Sequence, residues 1–293
     1  MPSTLSYGAV MKFSRTLAHI STKARDELRK AIVNIDFNDA DKAIERVREI
    51  MQAIAAKYGL GARELAAQWY DYCRQLEIGR GYTAGIGESS RYSLDSDVDA
   101  LAAKMKAGEI TQDDFIARMG GVMVNQMHRE ARNTILSNLS NDYQEAEARG
   151  DTKTSSKMGF CRVPVAGGCA FCVMLASRSY YPWQQYVSAR TAGDSHKYHD
   201  DCRCVIVPFT KAMGIPGYAD KLEKYNNAYR DADNTRRSGM MPDGEPMPDE
   251  LKLRIAAAKA EHAEKFRRGE VEQSWRPINE DLIIMRWNNP ALH

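Results

Sequence analysis

Five residues able to bind a soft metal ion lie close together in this 293-residue chain: Cys169, Cys172, His199, Cys202 and Cys204. A Cys-x-x-Cys pair aims two thiolates at one point. A second group about 30 residues further on completes a tetrahedral sulfur and imidazole shell, the geometry zinc favours. In Cys202-x-Cys204 the period of two is that of an extended strand, which puts both thiols on one face. That leaves five candidates for four positions. The spacing favours Cys169, Cys172, His199 and one of the last pair, with Cys204 ahead of Cys202. A disulfide-capable cluster and a metal-free set of packed thiols remain as other readings. In a reducing compartment, clustered cysteines more often bind metal or react than pair. A structural zinc would hold together a short, loop-rich segment, because metal-binding free energy becomes folding free energy.

Catalytic chemistry finds less support. A catalytic zinc keeps an open position beside a general acid or base. Zinc deaminases pair H-x-E with P-C-x-x-C, whereas this pair follows Gly167-Gly168 with no H-x-E upstream. Asp194, Asp200 and Asp201 read as residues that solvate a loop. His128 sits beside an apolar helical stripe, and Ser177 lacks the G-x-S-x-G elbow of hydrolases. Glu270 and Glu272 form an E-x-E common on solvated faces. The phosphate-binding patterns GxxxxGK[ST] and GxGxxG do not occur, so nucleotide hydrolysis and dinucleotide binding have no support. Lys265, Arg267 and Arg268 complement the dipole at the end of a helix.

The elements that must position these residues are mostly helical. Ala43, Val47, Ile50 and Ile54 step by three and four through 38–58, with Asn38 or Asp39 as cap and the glycines at 59 and 61 as stops. Leu65, Trp69, Tyr72, Cys73 and Leu76 mark a second helix, and 79–93 reads as a glycine- and serine-rich loop. Thr111 and Asp114 form a capping box with Asp in place of Glu. The helix they open is expected to run towards Glu147, through Gly120 and Gly121. The segment GDTKTSSK reads as a linker. GFCRVPV and CVIVPF (204–209) read as strands. Helical period returns in YADKLEKYNNAYRDADN and DELKLRIAAAKAEHAEKFRRG, separated by a Met- and Pro-rich linker. DLIIMRW is too short to assign.

Lys and Arg number 41 against 39 Asp and Glu, a net charge of +2. This excludes a protein held to nucleic acid by net charge alone. Hydrophobic residues at 43% and charged residues at 27% are ordinary globular values, and the length allows one large or two modest domains. No apolar run approaches the roughly 20 residues of a membrane span. The N-terminus lacks the apolar core of a secretion signal, so synthesis in a cytoplasm is expected.

The string RVPVAGGCAFCVMLASR, followed by YHDDCRCVIVP, resembles the MuF-like minor head proteins of tailed phages, particularly those of actinobacterial phages. YGLGARELAAQWYD (58–71) and RNTILSNLSND (132–142) are similar to that family's helical region. The likeness covers 58–208, about half the chain. Ser179 stands where family members often carry glycine. The resemblance implies a low-copy assembly protein of the procapsid, associated with the portal vertex inside the shell and acting in head morphogenesis or genome delivery. Its implied partners are the portal protein and the major capsid or scaffolding protein, with packaged DNA as a further one and no membrane. Its implied location is the virion head interior, after assembly in the host bacterial cytoplasm. The rivals are an injected enzyme, nuclease or transferase, and a zinc-stabilised DNA-binding module. The expected architecture is α+β and mainly α. A helical domain spans 1–150, a Cys/His-rich α/β module 151–212, and a helical tail 213–293 with its linker at 238–249.

Overall fold

The computed structural model describes residues 5–79, 83–87, 89, 92–164, 170–177, 180–191, 204–268 and 275–290. The chain is mainly helical with one small sheet, as its periodicity predicts. Helices α1 (Tyr7–Ile32), α2 (Ala40–Glu77) and α4 (Gln112–Ala148) pack against one another, and α3 (Tyr92–Lys106) packs on α2 and α4. At 1.5 Å per residue, α2 and α4 are each roughly 55 Å long. Ser6 caps α1 by accepting from the Ala9 amide, and Asp39 caps α2 by accepting from Lys42. Thr111 and Asp114 make the expected reciprocal capping box on α4. Together these side chains satisfy amides that the first turn leaves unpaired.

The glycines at 59 and 61 do not stop the helix: α2 runs through both as one 38-residue element. A Cβ at Gly59 would lie 3.4 Å from Glu130 Cγ, so the missing side chain there lets α4 approach. The cost of glycine in a helix, about 1 kcal/mol, is small beside the packing on either side. Gly120 behaves alike, with Arg25 of α1 3.1 Å from where its Cβ would be. GDTKTSSK is also more ordered than a linker. Asp151 caps a single turn, α5 (Thr152–Ser155), through the Thr154 amide and hydroxyl.

Strands β1 (Gly159–Val163), β2 (Tyr181–Pro182) and β3 (Val205–Pro208) form an antiparallel sheet in the order β2-β1-β3. Both main strands fall where the β-branched runs placed them. Register pairs Cys161 with Val207 and Val163 with Val205. Every residue of β1 and β3 is buried. One apolar cluster joins the sheet to α1, α2 and α4 through Phe13, Tyr70, Leu139, Phe160 and Val207. It therefore crosses position 150. A second cluster fills the other end of the bundle, with Leu28, Val47, Met51, Phe115 and Met123.

Helices α6 (Ala170–Ser177) and α7 (Trp183–Thr191) lie between the strands, and a 3₁₀ turn (Ala212–Gly214) follows β3. Beyond it come α8 (Ala219–Ser238), α9 (Asp249–Arg267) and α10 (Pro277–Asn288). A third cluster, including Val173, Leu175, Ala232, Leu251 and Ile284, sets α6 among these last helices. The apolar run DLIIMRW thus becomes α10, with its Ile284 and Met285 fully buried. The bases at the end of α9 pair within that helix, Lys265 with Glu261 and Arg267 and Arg268 with Glu264. No helix among the described residues is long and apolar enough to cross a membrane.

Candidate functional site

Two of the five metal-binding candidates fall among the described residues, and they sit on different elements. Cys172 lies in the first turn of α6, and Cys204 immediately precedes β3. Both are buried, at 1% and 2% exposure. Burial raises the Tyr225 phenol on α8 above its ordinary range, and Tyr7, Cys204 and Cys172 push in the same direction. Tyr225 packs against both the apolar cluster that holds the sheet and the one that holds α6. Cys169, His199 and Cys202 lie outside the described residues. Among the described residues alone, no three metal-ligating groups gather. Buried thiols are soft donors of the kind zinc takes.

The remaining cysteines, Cys73 on α2 and Cys161 on β1, are free and fully buried. Burial raises both thiols well above the usual range, and Cys161 raises Cys73 further. Without a neighbouring cation or metal, such thiols are poor nucleophiles. These two serve as small apolar side chains between the bundle and the sheet.

A second polar assembly escaped the sequence reading. Along α4, Gln126, Glu130, Thr134, Asn138 and Asp142 recur every four residues, and all five are buried. This spacing stacks them on one helical face, beside the apolar stripe of Met127, Ala131, Ile135 and Leu139. At one end, Glu130 accepts from Gln126 Nε2 at 2.8 Å, Ser89 Oγ at 3.0 Å and Arg63 Nη1 at 3.2 Å. In the middle, Thr134 donates to the Ile86 carbonyl at 3.2 Å. Asn138 clamps Gly85, accepting from its amide and donating to its carbonyl, each at 2.8 Å. At the other end, Asp142 accepts from Tyr70 and from Arg74 Nε, both at 2.7 Å. The stripe fixes the 83–87 loop and α2 against α4. Its sequence signal is a polar residue every fourth position running directly beside the apolar stripe of the same helix.

An open cleft of about 530 Å³ lies beside Gln126, lined also by Gln52, Arg63, Ser89 and Asp95. Its polar groups largely bind one another: Gln52 donates to Asp95 at 3.0 Å, and Arg63 and Ser89 turn to Glu130. Glu130 has no exposed surface, so its carboxylate is engaged by the protein rather than aimed at a substrate. His128 is likewise buried at 3% exposure, and the Ser177 hydroxyl donates to the Met174 carbonyl at 2.7 Å. His196, Glu270 and Glu272 lie outside the described residues. On β1, Arg162 is wholly buried with its guanidinium carbon 5.5 Å from the centre of the Tyr181 ring, a cation–π contact inside the core. An arginine in the middle of the apolar GFCRV run was its only mark in the sequence.

No curated protein and no solved structure matches this chain. A family model described as "VG15 protein" matches residues 5–232, from the start of α1 into α8, and so includes the bundle, the sheet and the whole Cys/His string. With most of its length matched, the chain belongs to the VG15 protein family, a phage-associated family.

Proposed function

We propose that this chain is a low-copy minor head protein of a tailed phage. It would associate with the portal vertex inside the procapsid and act in head morphogenesis or genome delivery. The observation that carries the reading is the family match over 5–232, which coincides with the Cys/His string and helical segments similar to MuF-like proteins. In this reading its partners are the portal protein and the major capsid or scaffolding protein, with packaged DNA as a further contact, and its place is the head interior. The injected-enzyme reading draws no support from Glu130 and His128, since both are built into the packing of α4.

A structural zinc belongs to the same proposal, held by Cys169, Cys172, His199 and one of Cys202 and Cys204. The ligand spacing and the burial of Cys172 and Cys204 support it. The ion would tie the start of α6 to the start of β3, so that its binding free energy would add to that of folding. Quantitative mass spectrometry of purified particles tests the assembly role. A few to some tens of copies per head, on the order of the portal's own number, is expected. Absence from particles, with abundance in the infected cell, would overturn it. Elemental analysis of the purified chain tests the ion, with one zinc per chain expected.

A further inference from the structure

Away from the cysteine string, a groove of about 340 Å³ opens between the first half of α1 and the second half of α2. Phe13, Leu65, Trp69 and Tyr72 supply its apolar lining, with Lys12 and Gln68 as polar members. The aromatic rings are set in order: Phe13 stacks on Trp69 at 4.9 Å, and Trp69 meets Tyr72 at 5.9 Å. Trp69 Nε1 donates to the Ile206 carbonyl of β3 at 3.0 Å, so the sheet fixes the indole from behind. Tyr72 is 44% exposed, unusual for a ring this size beside a concave apolar surface.

Charge along the groove is one-sided. On the α1 side Lys12 lines the groove and is exposed, Arg15 is exposed three residues further on outside the lining, and α1 carries no carboxylate before Asp26. Over its whole length α1 holds six cations, Lys12, Arg15, Lys23, Arg25, Arg29 and Lys30, against Asp26 and Glu27. Glu27 is already engaged by Lys57 and Tyr58. On the α2 edge Glu64 is the exposed charge one turn before Gln68.

We propose that this groove docks an amphipathic helix of a protein partner. One or two large apolar side chains would sit among Phe13, Trp69 and Tyr72, and carboxylates would lie along the edge facing Lys12 and Arg15. A groove between two packed helices accepts a third helix through side chains spaced at three and four. Rigid aromatic anchors with a charged rim are the usual composition of such a contact. A nucleic-acid strand fits less well. Base stacking needs open ring faces, and Phe13 and Trp69 are each only 5% exposed. The proposal is independent of the head-assembly reading.

Fluorescence anisotropy on the intact chain tests it, with labelled synthetic amphipathic helices as probes. One carries Leu and Phe on one face and Glu along one flank; a second carries Lys in place of Glu; a single-stranded oligonucleotide is the third. The Glu helix is expected to bind at least about tenfold more tightly than the Lys helix. Lys12→Glu and Tyr72→Ala should each weaken it by about tenfold. Both positions are exposed, so the melting curve should stay in place; Leu253→Ala, on the exposed face of α9, should leave binding unchanged. Absence of binding, equal binding of both helices, or indifference to the two groove variants would overturn the proposal. So would tighter binding of the oligonucleotide, or self-association of the chain that Tyr72→Ala abolishes.

Discussion

The polar stripe of α4 and, under the zinc proposal, the cysteine string treat polar side chains in opposite ways. On α4 the groups are of mixed kind. Carboxylates meet arginines, an amide meets a loop backbone, and each acceptor finds a donor from α2 or from the 83–89 segment. The protein satisfies itself. In the string the groups are thiols with one imidazole, soft-metal ligands by type, and the proposal assigns them to an ion. A polar stripe satisfied from within builds rigidity directly, whereas a proposed metal site would make folding conditional on its ion.

The comparison breaks most visibly if the ion is absent. The double variant Cys169→Ser/Cys172→Ser should lose its zinc outright. Hydrogen exchange should then show β1 and β3 losing protection while α2 and α4 keep theirs. Metal binding in small zinc modules is worth about 10–16 kcal/mol, so chelator plus heat should open 158–209 before the bundle. Identical melting with and without chelator would put both regions in the self-satisfied class.

Next in size is Asp142→Ala. It leaves the buried Arg74 guanidinium without its carboxylate and should cost about 3–5 kcal/mol in chemical denaturation. A cost near zero would mean that the stripe is decorative. Asn138→Ala is milder. It strips the Gly85 amide and carbonyl of their shared partner, for about 1–3 kcal/mol, and exchange should quicken across 83–87 while the sheet is unchanged. The smallest effect has the opposite sign. Gly61 lies inside α2 with nothing within 4 Å of where a Cβ would be, so Gly61→Ala should stabilise by about 0.5–1 kcal/mol. Gly59→Ala should gain less, because its methyl would press on Glu130. Equal gains at both positions would show that Glu130 is looser than its contacts indicate.

Local signals carried much of this fold. The Thr111–Asp114 box, the Asp39 cap and the β-branched runs of β1 and β3 act within a few residues, and each appears where the sequence placed it. Glycine inside a helix was misread because its cost is local and its benefit is not. At Gly59 the benefit is the approach of Glu130, 71 positions away. DLIIMRW was unassignable for a related reason, since its helix is completed by α6 and α8. The Cys/His string was legible as a ligand spacing, and three of its five members, Cys169, His199 and Cys202, lie outside the described residues.

By itself, the sequence determined the helical class, the caps and both long strands, and it carried the ligand spacing of the 169–204 string on which the zinc proposal rests, because period, capping and spacing are properties of neighbouring residues. Tertiary structure alone decided that two helical segments join into one α2 and that a polar residue every fourth position on α4 is buried rather than solvated. Each of these depends on which distant element arrives to supply the missing partner, and that is fixed only when the chain closes on itself.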